Sequence, residues 1–167
     1  NPGLMAQALF YHLTRSTPEQ LLPGLIGKSL ETGWRVELRG RDPARQAALD
    51  EALWRGEGFL PHGLAGGPHD ARQPVLLTLD AARPGGTPPA DPVTPPPPAN
   101  GAACLVALDG ASLAPAECRA LERVCIVFDG NDPAALERAR EQWRELRAAD
   151  IPAQYWSETS GRWERRA

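Results

Sequence analysis

CLVALDGASLAPAECRALERVCIVF, residues 104–128, is the stretch that decides the fold. Its ends, Cys104–Leu108 (CLVAL) and Val124–Phe128 (VCIVF), are unbroken apolar runs of strand length. A strand with one wet face would alternate, whereas a run apolar at every position is buried on both faces. Pro115 to Leu121 reads as a helical stretch between them. A strand–helix–strand unit with fully apolar strands belongs to a parallel sheet covered by helices.

The same grammar extends in both directions. Downstream, Asp132-Pro133 is a cap followed by proline at the first helical position, opening a long helix that reaches about Ala149. Gln154-Tyr155-Trp156 reads as a last strand before a polar tail. Upstream, Pro74 to Leu79 (PVLLTL), Trp34 to Arg39 (WRVELR) and Ala8 to Thr14 (ALFYHLT) read as strands. Thr17-Pro18-Glu19-Gln20 is a helix start with a capping-box glutamine. The helix it opens carries Leu21, Leu22, Leu25, Ile26 and Leu30 on one face, stops at Gly33, and should kink early at Pro23. Asp42-Pro43 opens a second helix through Leu49 and Leu53 to Trp54. The expectation is a three-layer α/β domain with a mostly parallel central sheet.

At 167 residues the chain is long enough for one self-sufficient core. Asn1-Pro2-Gly3-Leu4 reads as a remnant ahead of a natural start at Met5, which leaves 5–167 as a single domain. Eight prolines between Pro84 and Pro98 mark 81–103 as an extended excursion within it. A formal net charge of −3 carries no bulk electrostatic footprint for nucleic acid, so direct DNA contact is not expected. Cys104, Cys118 and Cys125 form neither a CxxC pair nor an even disulfide framework, and a reducing cytoplasm is the expected compartment. No apolar run is long enough for a membrane span.

Tests for an enzyme yield little. Gly24-Leu25-Ile26-Gly27-Lys28-Ser29 resembles the end of a phosphate-binding loop, but two residues rather than four separate its glycines. Lys28 and Ser29 also fall inside a helical pattern, away from free backbone amides. His12, His62 and His69 have no metal-ligand spacing, and no cofactor is implied. Asp80, Asp109 and Asp129 follow strand-like runs, where catalytic carboxylates often lie and where turn-capping aspartates lie more often. A nucleotide-binding or hydrolytic α/β enzyme using them is the alternative reading.

Residues 49–66, LDEALWRGEGFLPHGLAG, raise a different possibility. A helix ends on Trp54, glycines break it, and Phe59-Leu60-Pro61-His62 continues as a stiff apolar segment. These rings either close the bottom of the core or anchor a partner protein. Farther along, Arg140, Arg144 and Arg147 are spaced by four and three, a stripe beside the core face of Leu136, Ala139, Trp143 and Leu146. Glu137, Glu141 and Glu145 interleave with them, as on any solvated helix face.

LDEALW followed by FLPHGLAG, with FYHLT near the start, a leucine-rich helix and GWRVELR, resembles the chi subunit family of bacterial DNA polymerase III. The resemblance covers about 8–79 and 105–156, and excludes the proline-rich insert. It implies a Rossmann-like fold without a functional nucleotide-binding loop, and a non-catalytic accessory subunit that connects proteins. One surface in that family binds psi, tying chi to the clamp loader, and in some bacteria a helicase of the XPD-like class. The resemblance assigns that surface to Trp54 and Phe59, with Leu60, Pro61 and His62 adjacent. A second surface binds the acidic, apolar-ended tail of single-stranded DNA-binding protein. The resemblance assigns it to Arg140 and Trp143, and the arginine spacing adds Arg144 and Arg147. Leu136 stands where the family has another basic residue.

Overall fold

The computed structural model describes residues 7–55, 62–64, 73–79 and 100–166, apart from 112 and 114. Its elements run β1 (Gln7–Leu13), α1 (Pro18–Glu31), β2 (Val36–Gly40), α2 (Pro43–Arg55), β3 (Gly63–Leu64), β4 (Val75–Leu79), β5 (Cys104–Leu108), α3 (Pro115–Arg119), β6 (Arg123–Asp129), α4 (Pro133–Ala148), β7 (Ala153–Ser157) and β8 (Glu164–Arg165). The strands form one sheet in the order β3-β4-β2-β5-β6-β1-β7-β8. All neighbours are parallel except β7 and β8.

Burial follows from the side-chain alternation of strands. In β1, Leu9 and Leu13 join Leu22 and Ile26 of α1 and Leu49 and Leu53 of α2 on one face. Ala8 and Phe10 join Ala139 and Leu146 of α4 on the other. Every residue of β5 is buried, as a strand covered on both sides requires. The expected three layers are present, with α1 and α2 on one side and α3 and α4 on the other.

The helix starts follow their capping chemistry. The Thr17 hydroxyl accepts from Gln20 N–H at 3.3 Å while Gln20 Oε1 accepts from Thr17 N–H at 2.9 Å. Asp132 accepts from Ala134 N–H at 3.0 Å. At Pro23, where a kink is expected, α1 runs on as one helix, with the proline on the exposed side. Packing of Leu22 and Ile26, both fully buried, outweighs the one hydrogen bond that a proline removes.

A polar network is buried at β2. Arg39 donates to Glu37 at 2.9 Å and bidentately to Glu117 of α3 at 2.7 and 3.1 Å, and Thr78 donates to Glu37 at 2.8 Å. It joins β2, β4 and α3 on one side of the sheet.

Candidate protein-docking surfaces

The last helix carries the first candidate surface. The apolar positions of α4 settle on the sheet, which turns Arg140, Arg144 and Arg147 outward. Trp143, half-buried at the border, meets Phe10 edge-on at 5.2 Å and Tyr155 at 6.0 Å. Tyr155 stacks on Phe10 at 6.5 Å and lies 6.1 Å from Phe128. An aromatic floor therefore runs from β1 and β6 to β7 beneath an arginine ridge.

Among the described residues the ridge carries only loose intramolecular pairs. Glu137 lies 3.8 Å from Arg140 and 3.6 Å from Arg144, and both guanidinium side chains remain about 60% exposed. Exposed pairs of this kind are worth about 0–1 kcal/mol, so a competing carboxylate can displace them. Arg147 is exposed with no ion pair among the described residues. Leu136 is partly buried at the rim of the core and adds no charge.

Two residues that sequence reasoning left out of this surface sit behind it. The Tyr155 O–H lies 2.6 Å from His12 Nδ1 in a hydrogen bond, and the His12 ring packs on Phe128 at 5.2 Å. Burial and then the nearby Arg140 guanidinium hold the His12 pKa below its ordinary value, so the ring is neutral at pH 7. Alternation in β1 carried the signal, because Phe10 on the α4 side places His12 there too. Pairing of Phe10 with Tyr155 across β1 and β7 completes the contact.

The second candidate surface follows α2. Phe59, Leu60 and Pro61, and the side chain of Trp54, lie outside the described residues. His62, given by the resemblance as adjacent to those rings, is described. Its side chain is fully buried, with Nε2 at 3.0 Å from the Asp50 carbonyl oxygen and 3.3 Å from its carboxylate. It ties the start of β3 to α2 and presents nothing to a partner.

The residues considered for catalysis have structural employment. Ser29 is buried within α1 and donates to the Leu25 carbonyl at 2.9 Å, so the Gly24–Ser29 segment offers no phosphate cradle. Asp109 pairs with Arg45 at 3.0 Å, and Asp129 accepts from Asn131 N–H at 2.9 Å in a turn. Asp80 lies outside the described residues. Among the described residues no group of three or more His, Cys, Asp or Glu could hold a metal, and no helix is long and apolar enough to cross a membrane.

The family model described as DNA polymerase III chi subunit, HolC, matches residues 5–154. No curated protein matches the chain as a relative.

Proposed function

The chain belongs to the DNA polymerase III chi subunit family, an accessory family of DNA replication, and from that premise we propose that it is a non-catalytic cytoplasmic adaptor with two docking surfaces. The first takes the acidic, apolar-ended C-terminal tail of single-stranded DNA-binding protein on α4. What carries this reading is the juxtaposition of three outward arginines with the half-buried Trp143. Guanidinium groups pair with carboxylates in bidentate fashion, and an aromatic floor accepts a terminal ring. Arg140 and Trp143 are the central contacts, with Arg144 and Arg147 extending the grip along the helix.

The second surface follows α2 and takes psi or another clamp-loader component, or an XPD-like helicase, through Trp54, Phe59, Leu60 and Pro61. His62 belongs to it as the residue that anchors the segment to Asp50. Through these two surfaces contact with DNA is indirect, by way of protein-coated single strands.

Calorimetry at low salt with a peptide carrying that tail tests the first surface. Binding should be salt-sensitive, and Arg140→Ala should weaken it several-fold. No binding at low salt removes the tail site. Trp54→Ala with Phe59→Ala should abolish capture of the clamp-loader partner while leaving the melting temperature near wild type. A large stability loss instead would make both rings core residues.

A further inference from the structure

A crevice of about 620 Å³ opens at the carboxyl ends of β1, β5 and β6. It lies where α1 leaves β1 toward one face of the sheet and α4 leaves β6 toward the other. Open parallel sheets form their ligand crevices at such points of divergence. Both helix starts, at Thr17-Pro18 and Asp132, reach its wall and bring their positive dipole ends to it.

Four arginines from four segments line this crevice: Arg15 after β1, Arg41 after β2, Arg45 on α2 and Arg138 on α4. Among the described residues three carboxylates share the lining, and each accepts at least one hydrogen bond. Asp109 holds Arg45 at 3.0 Å, Asp129 accepts the Asn131 N–H, and Asp132 caps α4. Arg138 is engaged too, by the Gly110 carbonyl at 3.3 Å and Glu141 at 3.4 Å. Arg15 and Arg41 are exposed and have no carboxylate within ion-pair distance among the described residues. In the same wall, Thr14 Oγ1 is buried with no hydrogen-bond partner.

The backbone amides that would ordinarily cradle a phosphate after the first strand are already taken. Thr14, Arg15 and Ser16 all donate N–H to one oxygen of Glu158, at 2.9, 2.7 and 2.5 Å. An anion entering the crevice is therefore left to the guanidinium groups. A volume of this size also has room for a base and sugar beyond the anion.

We propose that this crevice binds the phosphoryl group of a nucleotide, with Arg15 and Arg41 as its counter-charges and Arg45 and Arg138 as its walls. The same chemistry is offered by a free nucleotide and by a phosphorylated strand end.

Thermal shift and calorimetry on the full chain test this with pyrophosphate, thymidine triphosphate, and a short oligothymidine with or without a 5′-phosphate. A ligand of the native state raises the melting temperature. Both phosphate-bearing small molecules should do so, and preference for the 5′-phosphorylated oligomer over the free nucleotide would identify the strand end as the source. Arg15→Gln and Arg41→Gln should each weaken binding roughly tenfold, as loss of a charge-assisted contact does. Arg140→Ala, on the other side of α4, should leave it unchanged. Failure of all the phosphate probes, equal binding by the unphosphorylated oligomer, or unaltered affinity in the Arg15→Gln/Arg41→Gln protein would each overturn the proposal.

Discussion

Replacing Glu158 with alanine should cost the protein about 3 kcal/mol. The residue follows β7 and its carboxylate reaches the loop after β1, more than 140 residues away in sequence. One oxygen accepts three consecutive backbone N–H groups and the other accepts the Ser16 hydroxyl at 2.8 Å, while the residue is 5% exposed. A hydrogen bond to a charged group contributes about 1.5–3 kcal/mol. Four of them do not add fully, because the freed amides of a surface loop regain water, and this brings the expectation down to about 3 kcal/mol. For a domain of this size that is roughly a 6–12 °C fall in melting temperature. The sign with pH follows from the carboxyl group. Burial alone would raise its pKa, but the three amides and the hydroxyl outweigh burial and hold it below the usual carboxylate value. Its contribution is thus complete above the unfolded pKa of about 4.3, and is lost as pH falls through the lower folded pKa. Urea denaturation of wild type, Glu158→Ala and Glu158→Gln at neutral and acid pH is the assay, with glutamine intermediate. A neutral-pH loss below about 1 kcal/mol, or a loss that does not shrink in acid, would refute the assignment of a charge-held loop.

Further outcomes are expected elsewhere. Arg39→Ala strands the buried carboxylates of Glu37 and Glu117 and should cost about 3–5 kcal/mol in denaturant unfolding, with Glu117→Gln costing less. A small effect of Arg39→Ala would mean that the network opens to water. At Gly130 a Cβ would collide with the His12 ring and fall 2.9 Å from the Leu13 carbonyl oxygen. Gly130→Ala should therefore cost about 1–3 kcal/mol and shift the His12 imidazole resonances in NMR, whereas an unchanged histidine spectrum would contradict the packing. All three thiols are buried, and burial, followed by the Glu117 charge, pushes Cys118 up to about 12. The native protein should react with no bulky thiol reagent near pH 8 and with three equivalents once unfolded; rapid native labelling would show that the strands open.

The tail surface and the crevice differ in how far they can be read from the chain. The α4 ridge is legible because helical spacing alone groups Arg140, Arg144 and Arg147 beside Trp143. The floor beneath it is not, since His12 and Tyr155 meet across strands 143 residues apart. In the segment after α2, His62 shows the limit of residue type as a guide. A histidine next to proline and glycine reads as surface loop, yet its ring is sealed against Asp50. Glu158 and Arg15 drew no attention in sequence, because nothing local distinguishes a carboxylate that reaches a distant loop from one that faces water.

Local pattern determined the elements of this protein. Apolar runs such as CLVAL and VCIVF can satisfy their burial only between two layers, and the Thr17 and Asp132 caps set where α1 and α4 begin. Tertiary structure alone decided which strands are neighbours: β1 lies between β6 and β7, and Glu164–Arg165 in the polar tail closes the edge as an antiparallel strand. It also decided which charges are taken: among the described residues no carboxylate pairs with Arg15 or Arg41 in the crevice, while Glu158 fills the amides beside them. Periodicity reports how each residue is solvated within its own segment. Strand pairing uses backbone groups common to all residues, and the meeting of distant charges depends on the whole packing, so neither leaves a local mark.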